Sequence, residues 1–142
     1  MAEKQYLSYN EYGQLMNELF GRLTGTYTHL YGNPRGGLPI AVHLSHLMNL
    51  PLIVTEDDLV AELYCTSGCH VLIVDDITDT GRSLIRLSDL LRALDVPFTT
   101  ACLYHKPRSS FEPDIWLRRI SNDNWIVFPW EHRDERPNRP LE

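Results

Sequence analysis

The sequence has no long apolar run, little cysteine, no excess of positive charge and no low-complexity stretch. Without an apolar run near membrane length, a bilayer-spanning helix is excluded. The start Met-Ala-Glu-Lys-Gln lacks the basic and apolar regions of a secretory leader, so a cytoplasmic protein is expected. A net charge of −6 argues against broad binding to nucleic acid or anionic membranes. Three cysteines, Cys65, Cys69 and Cys102, leave one unpaired in any disulfide scheme, which suits a reducing compartment. Cys65, Cys69 and His70, or His43 with His46, offer zinc-ligand types but no paired Cys-x-x-Cys knuckles, so they are read as ordinary thiols and histidines.

The 142 residues suffice for one domain, and 43% hydrophobic with 23% charged residues marks a globular chain. Residues 1–142 are read as one domain, with 132–142, charged and carrying two prolines, as an irregular extension.

Residues 71–74 form a short apolar, β-branched run, as expected of a strand covered on both faces. Asp75, Asp76 and Asp79 then crowd a turn that Thr80, Gly81 and Ser83 can shape. Leu84, Leu87, Leu90, Leu91 and Leu94 follow at helical spacing. The expected order is strand, acidic turn, helix.

A turn at the carboxyl end of a strand lies where open parallel sheets bind ligands. The N–H groups of Thr80, Gly81, Arg82 and Ser83 open a helix, so they can face a phosphate. The carboxylates of Asp75 and Asp76 can accept from sugar hydroxyls and help hold a hydrated Mg²⁺. The ligand expected from these residues is a ribose 5-phosphate carrying a metal-bound group.

Elsewhere, residues 8–23 are predicted helical, with Ser8 and Glu11 as a capping box and Tyr12, Leu15, Met16, Leu19 and Leu23 as the apolar stripe. Residues 29–31 read as a strand leading into Gly32-Asn-Pro-Arg-Gly-Gly37, whose glycines permit close approach and whose Arg35 suits phosphate binding. A second helix follows, with Leu38, Ile40, Ala41, Leu44, Leu47 and Met48 as its apolar residues. Residues 52–54, 98–104 and 125–128 read as further strands. Strand and helix alternate, so an α/β domain with a central, mainly parallel twisted sheet flanked by helices is expected.

The run Val71-Leu-Ile-Val-Asp-Asp-Ile-Thr-Asp-Thr-Gly-Arg-Ser83 closely resembles the phosphoribosyl pyrophosphate (PRPP) signature of type I phosphoribosyltransferases. Arg35, Gly36 and Gly37 resemble that family's pyrophosphate loop. Lys106, after a strand and before Pro107, matches a lysine that donates to the purine 6-oxo group in the xanthine-guanine and hypoxanthine branch. Trp125-Ile-Val-Phe-Pro-Trp-Glu131 resembles the end of the xanthine-guanine branch.

The resemblance implies transfer of 5-phosphoribosyl from PRPP to N9 of guanine, xanthine or hypoxanthine, with Mg²⁺, in purine salvage. PRPP would be held by Arg35, Gly36, Gly37, Asp75, Asp76, Asp79, Thr80, Gly81, Arg82 and Ser83, with Asp75 and Asp76 also toward the metal. Asp79 would be the catalytic proton acceptor or charge stabiliser. Lys106, Trp125, Ile77 and Ile126 would hold the base, with Trp125 stacking on it opposite Ile77. A homodimer or homotetramer is implied as well.

The resemblance covers residues 31–131 and departs in one place. Relatives usually carry a mobile loop between the pyrophosphate loop and the acidic turn, whereas residues 55–68 look short and compact here. Other readings are a pyrimidine-type transferase and a non-catalytic PRPP- or nucleotide-binding regulator of this fold, the latter needing a basic surface that the charge does not favour. A phosphate-accepting receiver domain would require an acceptor aspartate ending a separate strand between Asp76 and Lys106, and none is found.

Overall fold

The computed structural model describes residues 3–131; the extension expected over 132–142 lies outside them. The chain runs β1 (Glu3–Tyr6), α1 (Tyr9–Arg22), β2 (His29–Gly32), α2 (Gly37–Met48), β3 (Leu52–Ile53), α3 (Glu56–Cys65), β4 (Val71–Thr78), α4 (Arg82–Ala93), β5 (Phe98–His105), β6 (Ile115–Arg119) and β7 (Asn124–Val127). Five strands form a parallel sheet in the order β3-β2-β4-β5-β6, and β1 pairs with β7 in a separate two-stranded parallel sheet.

The expected capping box is present: the Ser8 hydroxyl accepts from Glu11 N–H, and Glu11 Oε1 accepts from Ser8 N–H, both at 3.0 Å. These bonds occupy orphan groups of the first turn of α1, whose Tyr12, Leu15, Met16 and Leu19 are buried. At the sheet's centre, Val71, Leu72, Ile73 and Val74 are each 0% exposed. Strand alternation sends Leu72 and Val74 into one core with α1 and α2, and Val71 and Ile73 into a second with α3 and α4. This two-sided burial explains why an uninterrupted apolar run makes a strand here.

One expectation is corrected. Asp75 and Asp76 do not lie in the turn: β4 continues to Thr78, because the eight-residue β5 offers partners as far as His105, pairing Asp75 with Cys102 and Thr78 with His105. The compact segment before β4 is also regular. Thr55 caps α3 by accepting from Asp58 N–H at 3.2 Å, and Glu56, Asp57 and Asp58 place negative charge at the helix's positive end. Leu59 and Leu63 fix it in the second core, and Arg86 on α4 holds Glu56 at 2.6 Å. β1 and β6 were not anticipated.

Candidate active site

Where β2 ends, Asn33 N–H donates to the Val74 carbonyl at 2.9 Å, pressing the β2–α2 loop onto β4. A side chain could not stand at either glycine that follows. A Cβ on Gly36 would collide with the Asp76 carboxylate, and one on Gly37 with the Val74 carbonyl. The Pro34–Arg35 peptide is cis. Arg35 is exposed; its carbonyl accepts from Leu38 N–H at 3.0 Å, while its guanidinium makes no hydrogen bond or ion pair among the described residues.

Asn33, which the sequence reading passed over, ties the parts together. Its amide donates to Asp75 Oδ2 at 2.7 Å and to the Ser83 hydroxyl at 2.9 Å, linking the glycine loop, the strand acid and the start of α4. Asp75 is 8% exposed and also accepts from Asp76 N–H at 2.9 Å. Burial, and after it the adjacent Asp76 charge, push its carboxyl well above the usual aspartate range. Asp76 is less buried and accepts from Ile77 N–H at 2.7 Å.

The turn after β4 is shaped by Gly81, whose φ of 85° is left-handed. A Cβ there would stand 2.7 Å from the Ser109 hydroxyl, so glycine serves both conformation and space. The first hydrogen bond of α4 runs from Ile85 N–H to the Gly81 carbonyl at 2.9 Å, leaving the N–H groups of Ser83 and Leu84 outside the helical ladder. They border a recess of about 100 Å³ lined by Asp75 and residues 77–84, a size and polarity suited to an anion at a helix start.

Directly after β5 comes Lys106, which is 2% exposed. Its ammonium lies 3.7 Å from Asp79 Oδ1 and 5.6 Å from the centre of the Trp125 ring. Trp125 is 52% exposed, which excludes a core role for it. Ile77 is half-buried against the first core, whereas Ile126 is 1% exposed as a whole residue and is part of that core. Arg108 was also passed over: it is 29 residues from Asp79 in sequence, yet its Nε donates to Asp79 Oδ1 at 2.6 Å.

The structure therefore brings the Arg35 loop, Asp75, Asp76, the 79–83 turn, Lys106 and Trp125 to one edge of the sheet, at the carboxyl ends of its parallel strands. Among the described residues no three His, Cys, Asp or Glu side chains gather as a metal site. Asp75 and Asp76 are nonetheless two neighbouring carboxylates whose repulsion a cation would relieve, which fits them as part of the shell of an ion held jointly with a ligand.

Comparison with known proteins agrees with this arrangement. The model of the phosphoribosyl transferase domain matches residues 3–136. Xanthine-guanine phosphoribosyltransferases of Ruegeria sp. (strain TM1040) and Cereibacter sphaeroides are each 38% identical over 64 residues, 45% of this chain. Those matches span 34% and 36% of the relatives' own lengths, about a third. Over nearly the whole chain, a purine phosphoribosyltransferase from Pyrococcus horikoshii superposes with a TM-score of 0.76 at 29% identity, covering 98% of this chain and 97% of that one. A xanthine-guanine-hypoxanthine phosphoribosyltransferase from Helicobacter pylori gives 0.77 at 22% identity, covering 96% and 98%.

Proposed function

The chain belongs to the phosphoribosyl transferase domain family, and from that membership we propose that it transfers 5-phosphoribosyl from PRPP to N9 of a 6-oxopurine, releasing pyrophosphate. The observation that carries the purine assignment is the state of Lys106. Its side chain is 3% exposed, yet its ammonium makes no hydrogen bond to a described residue and has only Asp79 at 3.7 Å and the Trp125 face for company. An ammonium at the end of a nearly buried side chain, with donors that the described residues leave unused, is placed to meet an acceptor, and a 6-oxo oxygen is such an acceptor. The likeness to the Pyrococcus horikoshii purine enzyme supports the same substrate class.

In this reading the N–H groups at the start of α4 and the hydroxyls of Thr80 and Ser83 hold the 5-phosphate. Asp75 and Asp76 hold the ribose hydroxyls, and Arg35 with the Gly36–Gly37 backbone holds the pyrophosphate. Asp75 and Asp76 would hold Mg²⁺ together with PRPP, and the ion would supply neutralisation of the leaving group's charge. As the C1–O bond lengthens, the ribose gains oxocarbenium character, and the Asp75–Asp76 carboxylates lie on its side of the site. The base stacks on Trp125 opposite Ile77, directs its 6-oxo group to Lys106, and gives its N7 proton to Asp79.

No helix among the described residues is long and apolar enough to cross a membrane; a cytoplasmic homo-oligomer working in purine salvage fits this chemistry. The test is incubation with PRPP, Mg²⁺ and each base in turn, reading pyrophosphate. Release with guanine, xanthine or hypoxanthine and not with uracil or orotate is expected. Release above the base-free background with pyrimidines only, or with none of the bases, would overturn the assignment.

A further inference from the structure

Asp79 takes its charged contacts on one oxygen. Arg108 donates to Oδ1 from Nε at 2.6 Å and forms an ion pair with it through Nη2, and the Lys106 ammonium faces the same oxygen at 3.7 Å. Among the described residues no hydrogen bond reaches Oδ2. The Asp79 side chain remains 37% exposed and borders the recess over the phosphate turn. Arg108 is itself held in place. Its N–H donates to Asn122 Oδ1 at 2.9 Å, and Ser110 N–H donates to the Thr80 carbonyl at 3.0 Å, stitching the β5–β6 loop onto that turn.

We propose that Arg108 is a positioning residue for the transfer proposed above, on which this inference rests: it anchors Asp79 through Oδ1 so that Oδ2 is presented to the N7 edge of the bound base. An aspartate on an exposed turn samples several rotamers, and a guanidinium fork on one oxygen selects among them. The two cations beside Oδ1 repel an arriving proton, which leaves Oδ2 as the acceptor. In the step itself, N9 bonds to C1 of the ribose while the C1–O bond breaks and its electron pair departs on pyrophosphate. The N7–H bond breaks, its electrons stay in the ring, and the proton passes to Oδ2. Arg108 touches neither the base nor the ribose in this scheme and acts only through Asp79.

Steady-state rates for Arg108→Ala, Arg108→Lys, Asp79→Asn and the double variant Asp79→Asn/Arg108→Ala test it. Loss of orientation in Arg108→Ala should lower kcat by roughly ten- to a hundredfold with the KM for PRPP unchanged, and Arg108→Lys should fall between it and the wild type. Asp79→Asn should lose about a hundredfold or more. Because Arg108 acts through Asp79, the double variant should be no slower than Asp79→Asn alone. Arg108 is half exposed, so these variants should keep the fold, which circular dichroism checks. An active wild type matched by Arg108→Ala, or a double variant whose losses multiply, would overturn the role of Arg108 alone. A wild type that releases no pyrophosphate with any purine would overturn both this inference and the proposed reaction.

Discussion

Lys106 holds its ammonium 5.6 Å from the centre of the Trp125 ring, one partner almost wholly withdrawn from solvent and the other about half exposed. The pair forms a wall that combines a partly exposed aromatic ring with a donor held over it. Adenine presents a donor where a 6-oxopurine presents an acceptor, so it would leave the Lys106 ammonium unpaired. Its kcat/KM should lie below that of hypoxanthine by roughly four orders of magnitude. Trp125→Ala should raise the KM for the base by about tenfold or more through lost stacking. Comparable turnover of adenine, read as pyrophosphate release, would refute the donor role of Lys106.

Arg35 is exposed, and its guanidinium holds no other described residue; only its backbone carbonyl is engaged, by Leu38 N–H. Arg35→Ala should therefore leave the melting temperature unchanged while weakening both PRPP and pyrophosphate. The loss of charge-assisted bonds is worth about 1.5–3 kcal/mol each, or roughly ten- to a hundredfold in Kd. Titration calorimetry with each ligand decides it, and unchanged affinity for both would remove the loop from the site.

Asp75 carries a stability signature with a definite sign. Its carboxyl is raised above the ordinary value of 3.8, first by burial and then by Asp76. The folded chain thus binds this proton more tightly than the unfolded chain. Its contribution to stability is complete below the ordinary value and is lost as pH rises through the raised one. Above the ordinary value the group opposes folding increasingly as pH rises. Asp75→Asn should melt at a higher temperature than the wild type near pH 8, with the gap closing in acid, while PRPP binding is lost. Melting curves across pH check this, and a variant less stable than the wild type near pH 8 would contradict it.

Residues 55–68 do not offer a mobile cover, because α3 is anchored by Leu59 and Leu63 and by the Arg86–Glu56 ion pair. A reactive sugar that is not shielded from water hydrolyses. PRPP supplied without a base should therefore be lost at a measurable rate, or begin to be lost once residues 132–142 are removed. Negligible loss from both proteins, with normal base transfer, would show that the α3 segment shields the site after all.

What the sequence revealed was chiefly local. The capping box of α1, the apolar start of β4 and the leucine stripe of α4 are patterns within a few residues, and each reappears in the structure. The edge strands were silent for a physical reason. Every residue of β1 is exposed, and β6 buries only Leu117, so neither alternates in a readable way. The continuation of β4 through Asp75 and Asp76 opposes the β-propensity of aspartate and is decided by pairing with β5. α3 did carry a signal, in the Thr55 cap and three following acids, but its apolar face has only two leucines. The Asn33–Asp75 and Arg108–Asp79 contacts join residues far apart in sequence, and no spacing rule brings such pairs together.

The pairing of β1 with β7 joins the two ends of the described chain, Glu3 to Asn124 and Lys4 to Trp125. A two-stranded sheet is marginal by itself, and this one rests on the core beneath it through Leu7, Ile126 and Phe128. The phosphate half of the site, by contrast, is built from contiguous β-loop-α units between β2 and α4. The two halves thus differ in when they can form: the PRPP cradle needs mostly short loop closures, and the wall that meets the base needs the longest. Under stress the order reverses. A chain that has frayed at β1 should lose its grip on purines while still binding PRPP, so hydrogen exchange at Ile126 and Val127 should be faster than at Ile73 and Val74.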